Sequence, residues 1–270
     1  MARKVFVIGI TLILLLAIST PAGAISYGVP DGTEHPEVGS IVVMVEGVPH
    51  QFCSGTLIAP KKFLTASHCT IPLEDFVNGN NGIQVLVTFD PKITSGGTFY
   101  GVTAVHTNPA YLDARGYEDP GDVGLLELDG EPDDITYARL PTQGLLDDLK
   151  ADHTLNDTLF TAVGYGTVRI TNRTDGQGIL SNDYRNRVDQ GFLSLTPAWL
   201  TNSMNLATGN GGTCYGDSGG PHFIHLEGEE TNIIVSVTVT GDMNCKATDK
   251  TYRVDTPAAR SFLGQYVTLP

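Results

Sequence analysis

The amino-acid sequence predicts an all-β protein, with short strands built into an antiparallel barrel or sandwich and a helix at the C-terminus. Three observations carry that expectation. Short apolar or β-branched runs recur between turn residues, the 31 glycines and 15 prolines supply those turns, and no helical periodicity fills the intervals between runs.

The chain begins with an address. Arg3 and Lys4 precede an apolar run from Val5 to Ile18, and small residues ending Ala22-Gly23-Ala24 follow. This is the pattern of a secretory signal peptide over residues 1–24. The apolar run is shorter than the roughly 20 residues that cross a bilayer, which argues against an anchor. Cleavage after Ala24 leaves about 246 residues beginning at Ile25, enough for one large β domain or two barrels.

The strands are then read at Ser40–Val45, Thr56–Ile58, Gln84–Phe89, Val102–Val105, Val123–Leu128, Leu159–Val163 and Ile233–Val239. Gly130–Thr142, rich in acids and holding Pro132 and Pro141, is the expected crossing between two halves, 25–135 and 136–270. Near the end, Thr256-Pro257 offers an N-cap and a first-turn proline. Ala258, Ala259, Phe262, Leu263 and Tyr266 follow with helical spacing.

Charge narrows the partners. The whole chain carries −14, and the exported part, with 14 basic against 30 acidic residues, carries −16. Such an acid excess argues against nucleic acid and anionic membrane as ligands. Four cysteines, Cys53, Cys69, Cys214 and Cys245, lie in the exported part, where disulfides form. No C-x-x-C pair is present and the nearby histidines lack ligand spacing, so two disulfides are expected rather than a metal site, with three pairings open.

Three stretches carry chemistry. A serine hydroxyl needs an imidazole base, a carboxylate to orient that base, and donors for the oxyanion. Leu64-Thr65-Ala66-Ser67-His68-Cys69 supplies a histidine after an apolar strand. Asp122 heads the apolar run Val123–Leu128, whereas the nearby Asp119 lacks such a run. Gly216-Asp217-Ser218-Gly219-Gly220-Pro221 surrounds a serine with glycines that permit a tight turn.

With these stretches in the chain order His, Asp, Ser, the sequence resembles the chymotrypsin/trypsin-like serine protease family. The resemblance implies two antiparallel six-stranded Greek-key β-barrels with a C-terminal helix, His68 and Asp122 in the first barrel and Ser218 in the second. It implies His68 as general base, Asp122 as its orienter, Ser218 as nucleophile, and the Gly216 and Ser218 N–H groups as the oxyanion hole. It further implies the pairings Cys53–Cys69 and Cys214–Cys245, and an activating contact between a free Ile25 amine and Asp217. Signal cleavage after Ala24 would itself expose that amine.

The specificity pocket departs from the trypsin pattern. Gly212 stands where a trypsin-like aspartate is expected, which removes support for cleavage after Arg or Lys. Lys250 falls near a pocket-base position, where a buried ammonium would favour acidic side chains. Ser236 matches a pocket-wall strand, although the usual tryptophan is absent. Asn156-Asp157-Thr158 and Asn172-Arg173-Thr174 fit the N-glycosylation pattern. The resulting expectation is a secreted serine endopeptidase acting on proteins or peptides without metal or cofactor, and a target for protein inhibitors. The competing readings are a non-catalytic binding module on the same scaffold and hydrolysis of non-peptide esters.

Overall fold

The computed structural model describes residues 25–79, 82–113, 119–169 and 178–270. The expected export segment 1–24 and the expected acceptor Asn172 lie outside the described residues, while Asn156 is exposed in a short 3-10 turn. No helix among the described residues is long and apolar enough to cross a membrane.

After a two-residue strand, β1 (Val29–Pro30), come β2 (Val38–Val45), β3 (Val48–Ala59), β4 (Lys62–Thr65), β5 (Gln84–Thr88), β6 (Tyr100–Thr107) and β7 (Gly124–Leu128). β2 to β7 close into an antiparallel barrel in the order β2-β3-β4-β7-β6-β5. Alternation along these strands turns Ile41, Leu57, Phe63, Val87, Leu126 and Leu128 into one apolar cluster. Phe63 and Phe89 meet edge to face at 5.8 Å within it.

The second half holds β8 (Leu159–Gly164), a side ribbon of β9 (Val168–Arg169) and β10 (Ile179–Leu180), then β11 (Asn186–Leu195), β12 (Trp199–Ser203), β13 (Pro221–Leu226), β14 (Glu229–Gly241) and β15 (Thr248–Arg253). Six of these run in the order β11-β12-β15-β14-β13-β8, and β8 pairs back onto β11 to close a second barrel, with β1 added outside β11. Both barrels wind alike: first, second, third, sixth, fifth, fourth strand. This is the repeated Greek key that the resemblance implied. Each expected strand run falls on a strand, to within one residue at Phe89 and Val123.

A second apolar cluster joins the barrels. Val38, Leu64, Val123 and Leu125 from the first meet Trp199, Phe223 and Tyr252 from the second. Among the described residues, four α-helices decorate the barrels: α1 (Ser67–Asn78), α2 (Pro109–Asp113), α3 (Leu145–Ala151) and α4 (Pro257–Leu263). α4 places Ala259, Phe262 and Leu263 in that junction, and its cap is as expected, the Thr256 hydroxyl accepting from Ala259 N–H at 3.2 Å. Buried Arg185 clasps the halves from the other side. It donates to Asp31 Oδ2 at 2.7 Å, to the Gly32 carbonyl at 2.8 Å, and to the Val38 and Phe89 carbonyls at 3.0 and 2.9 Å.

α1, α2 and α3 were not expected. The buried side of α1 consists of Ser67, Cys69, Thr70 and Leu73, and Pro72 interrupts it. Half of that side is polar and satisfied by hydrogen bonds, so the apolar period that signals a helix is muted.

Candidate active site

β4 and β7 pair with Thr65 opposite Gly124, so the residues leaving β4 face those entering β7. Ser67 donates from Oγ to the Val123 carbonyl at 2.7 Å, fixing the first turn of α1 against that strand. His68, the second residue of the helix, donates its backbone N–H to Asp122 Oδ1 at 2.9 Å, while its ring Nδ1 lies 2.9 Å from Asp122 Oδ2. Both oxygens of one buried carboxylate, 2 % exposed, thus hold one histidine. The first-turn N–H that a helix leaves unpaired is here the second handle on the carboxylate. Nδ1–H facing Asp122 leaves Nε2 as the free, basic nitrogen. The rival Asp119 is engaged elsewhere, accepting from the Tyr252 hydroxyl at 2.8 Å.

Cys69, the next residue, is bonded to Cys53 on β3, and Cys214 is bonded to Cys245. Ser218 is brought to this corner through its backbone. Its carbonyl accepts from Ser54 N–H at 2.8 Å and lies 3.7 Å from the Cys69 sulfur. Gly219 follows with φ +79, and a Cβ there would stand 2.1 Å from the Thr65 hydroxyl and 2.6 Å from the Ser54 carbonyl, so only glycine lets the loop reach the first barrel.

Gly216 adopts φ +97, another conformation that favours glycine. Its carbonyl is turned onto β3, accepting from Gln51 Nε2 at 2.7 Å and Ser54 Oγ at 3.1 Å. Among the described residues, the N–H groups of Gly216 and Ser218 donate to no protein acceptor. Gln51 and Ser54 lie in the polar part of β3, and no motif in the sequence marked them.

Asp217 is fully buried and accepts from Gly166 N–H at 2.7 Å and Cys214 N–H at 2.9 Å. Burial pushes its carboxyl up to about 7; those two N–H groups oppose the rise and the charge of Asp249 adds to it. Ile25 is also fully buried, and its neighbour Ser26 exchanges backbone bonds with Gly212 at 2.8 and 2.9 Å. In the full chain Ala24 precedes Ile25, so the Ile25 nitrogen is an uncharged amide.

A cavity of about 190 Å³ opens beside Ser218, lined in part by Thr213, Tyr215, Thr238, Thr240 and Asp242. Its wall corrects the expected register by two residues. Gly219 N–H donates to the Thr238 carbonyl at 2.8 Å and Thr238 N–H to the Gly220 carbonyl at 2.9 Å, which makes Thr238–Asp242 the lining stretch. Ser236 is fully buried instead, its hydroxyl accepting from Thr251 at 2.8 Å. Lys250 also stands outside the cavity, its ammonium 4.2 Å from the Trp199 ring centroid. A stacked, half-buried lysine avoids the cost of an unpaired buried charge. Its neighbour Asp249 is the fully buried residue, accepting from Gln190 Nε2 at 2.9 Å, with His222 Nε2 at 3.0 Å. Gly212 lies behind Thr213, where a Cβ would be 2.0 Å from Met204 Sδ.

The family model described as Trypsin matches residues 31–263. The chain belongs to the trypsin family. Among its relatives is a trypsin of Saccharopolyspora erythraea, 29% identical over 214 residues, covering 74% of this chain and 80% of that one. Trypsin 5G1 of Aedes aegypti is 26% identical over 243 residues, covering 77% of this chain and 83% of that protein. The solved structure of HL collagenase superposes with a TM-score of 0.58 over 90% of this chain and 96% of that one, at 16% identity, a likeness of fold. The two barrels and terminal helix are those of the chymotrypsin-like fold of this family.

Proposed function

We propose that this trypsin-family protein is a secreted serine endopeptidase that cleaves proteins or peptides through an acyl-enzyme. The observation that carries the reading is the two-handed grip of Asp122 on His68, beside a serine whose carbonyl is held by Ser54 N–H. His68 Nε2 takes the Ser218 Oγ proton as the oxygen attacks the scissile carbonyl. The developing oxyanion is received by the unengaged N–H groups of Gly216 and Ser218. His68 then gives the proton to the leaving amine, and the acyl chain stays on Ser218 as an ester. Water enters, His68 accepts its proton, and collapse of the second tetrahedral intermediate frees the acid and restores the serine. Asp122 fixes the tautomer and stabilises the imidazolium between these steps.

Activation follows from the buried, raised Asp217. Release of residues 1–24 would convert the Ile25 amide to an ammonium, and pairing with Asp217 would settle the Gly216–Ser218 loop. A fluorophosphonate probe is expected to label the processed protein, and not its Ser218→Ala variant. Absence of labelling in correctly folded, Ile25-initiated protein would favour a non-catalytic binding module. Chains carrying one extra residue before Ile25 should label far more slowly.

A further inference from the structure

We propose that Asp189, His225 and Glu230, with the Thr161 hydroxyl, form a binding site for one divalent transition-metal ion of the zinc class on the C-terminal barrel. The set shares no side chain with the candidate catalytic residues. Its members come from four strands and sit in register: Thr161 is paired with Asp189 across β8 and β11, and His225 with Glu230 across β13 and β14. Their ligand atoms are therefore placed by sheet geometry and not by a loop.

Four polar atoms converge. Thr161 Oγ1 is 3.0 Å from Asp189 Oδ1, 2.8 Å from His225 Nε2 and 2.7 Å from Glu230 Oε2. His225 Nε2 is 3.8 Å from the aspartate oxygen and 3.9 Å from the glutamate oxygen, and the three ligand atoms all lie within 4.8 Å of one another. The hydroxyl has one proton to donate. Whether or not His225 Nε2 carries its own proton, at least one carboxylate oxygen is left against the hydroxyl oxygen with no hydrogen between them. A cation in the cluster satisfies every lone pair at once.

A second layer of contacts supports the ligands. Glu230 Oε1 lies 2.5 Å from His35 Nε2, and His35 Nδ1 lies 2.5 Å from Asp31 Oδ1. Each His35 ring nitrogen thus faces a carboxylate oxygen. One glutamate oxygen is thereby committed to His35, and the other is aimed at the cluster. Metal sites use this kind of outer hydrogen bond to orient their carboxylates. One imidazole with two carboxylates suits zinc-class ions, whereas calcium and magnesium take oxygen ligands alone. The Asp189 side chain is 50% exposed, which leaves an entry path. Through Glu230, His35, Asp31 and Arg185, a bound ion would tie four strands to the segment leading from Ile25 into β2.

The test uses the full exported chain in the Ser218→Ala background, stripped with EDTA and titrated with zinc chloride by calorimetry and by thermal unfolding. One equivalent of zinc should bind and raise Tm. Asp189→Asn, isosteric and half-exposed, and His225→Gln should each weaken binding about 100-fold, and His35→Asn about 10-fold to 100-fold. Restoring Ser218 in Asp189→Asn should leave metal-free peptide hydrolysis unchanged. The proposal is overturned if zinc leaves Tm unmoved, if folded Asp189→Asn binds zinc as tightly as its parent, or if calcium binds equally well. Should His225→Gln fail to fold, Asp189→Asn decides alone.

Discussion

The N-terminal barrel closes around Ile41, Leu57, Phe63, Val87 and Leu126, whereas the C-terminal barrel, wound identically, also buries Gln190, Asn202, His222 and Asp249. In the strands of the first, Thr56 Oγ1 is the one buried side-chain polar atom without a partner among the described residues. In the second, Asn202 Nδ2 and Oδ1, His222 Nδ1 and Asp249 Oδ1 are buried without a partner among the described residues. Such groups cost stability that apolar packing does not. The difference in interior matches the proposed function. On that function His68 and Asp122 would keep a fixed mutual geometry, and both belong to the first barrel. The Ser218 loop and the cavity beside it, which would receive a substrate, belong to the second.

The strongest way to break the comparison is to take one member from each barrel. Ser218→Ala or His68→Ala is expected to lower kcat on a peptide amide about 10⁶-fold, and the double variant no further, because the two act as a unit. Multiplying losses would show that they work independently. Next, Phe63→Ala should cost about 3–5 kcal/mol in urea unfolding of the Ser218→Ala protein. Asp249→Ala should cost about as much by stranding His222 and Gln190, yet Asp249→Leu with His222→Leu and Gln190→Leu should be near neutral, since the three buried polar partners then vanish together. If the triple leucine variant is the worst of the three, the polar interior is a source of stability and the contrast fails.

The disulfides are expected to differ little between barrels. Opening Cys53–Cys69, 16 residues apart, should cost about 3 kcal/mol, and opening Cys214–Cys245, 31 apart, roughly 4 kcal/mol by loop entropy. Equilibrium unfolding of paired Cys→Ala variants measures both. The smallest expected effect is one of pH. Asp217 sits near 7 in the fold against 3.8 for an ordinary aspartate, so protonation favours the folded chain. Its contribution is complete below about 3.8 and is lost as pH rises through about 7. The urea midpoint of the full-length Ser218→Ala protein should therefore fall between pH 5.5 and pH 8, and Asp217→Asn should remove that part of the slope. Chains starting at Ile25 should lose it too, because the ammonium stabilises the ionised carboxylate. Equal slopes in all three would contradict the Ile25–Asp217 pairing.

Much of the fold was legible because apolar alternation is a local property: β2, β5, β7 and β8 are each a run bounded by turn residues. β11 was missed, since its exposed and buried positions mix charged and apolar side chains through Asn186-Arg187-Val188-Asp189. α1 was hidden by its polar buried face. The candidate residues His68, Asp122 and Ser218 stand in short motifs, which is why spacing alone could nominate them. The cavity wall was misplaced by two residues because β14 is 13 residues long and nearly uniform in β-branched character from Ile233 to Thr240. Such a stretch has no internal landmark, and its register is set by bonds from Gly219 and Gly220 that lie far off in sequence. Gln51, Ser54 and the Asp31–His35–Glu230 chain of contacts are likewise products of tertiary approach.

One bond, from Ser54 N–H to the Ser218 carbonyl, lets the serine report on the union of the two halves. It crosses from β3 to the Gly216–Ser218 loop, so a slip of one barrel against the other would be felt at the Ser218 hydroxyl, the proposed nucleophile. A protein split between β7 and β8 would recover hydrolysis only on correct docking of its halves, and the rate would serve as a gauge of that docking. In the intact chain, on the proposed function, the same arrangement would keep a half-assembled molecule harmless to its neighbours.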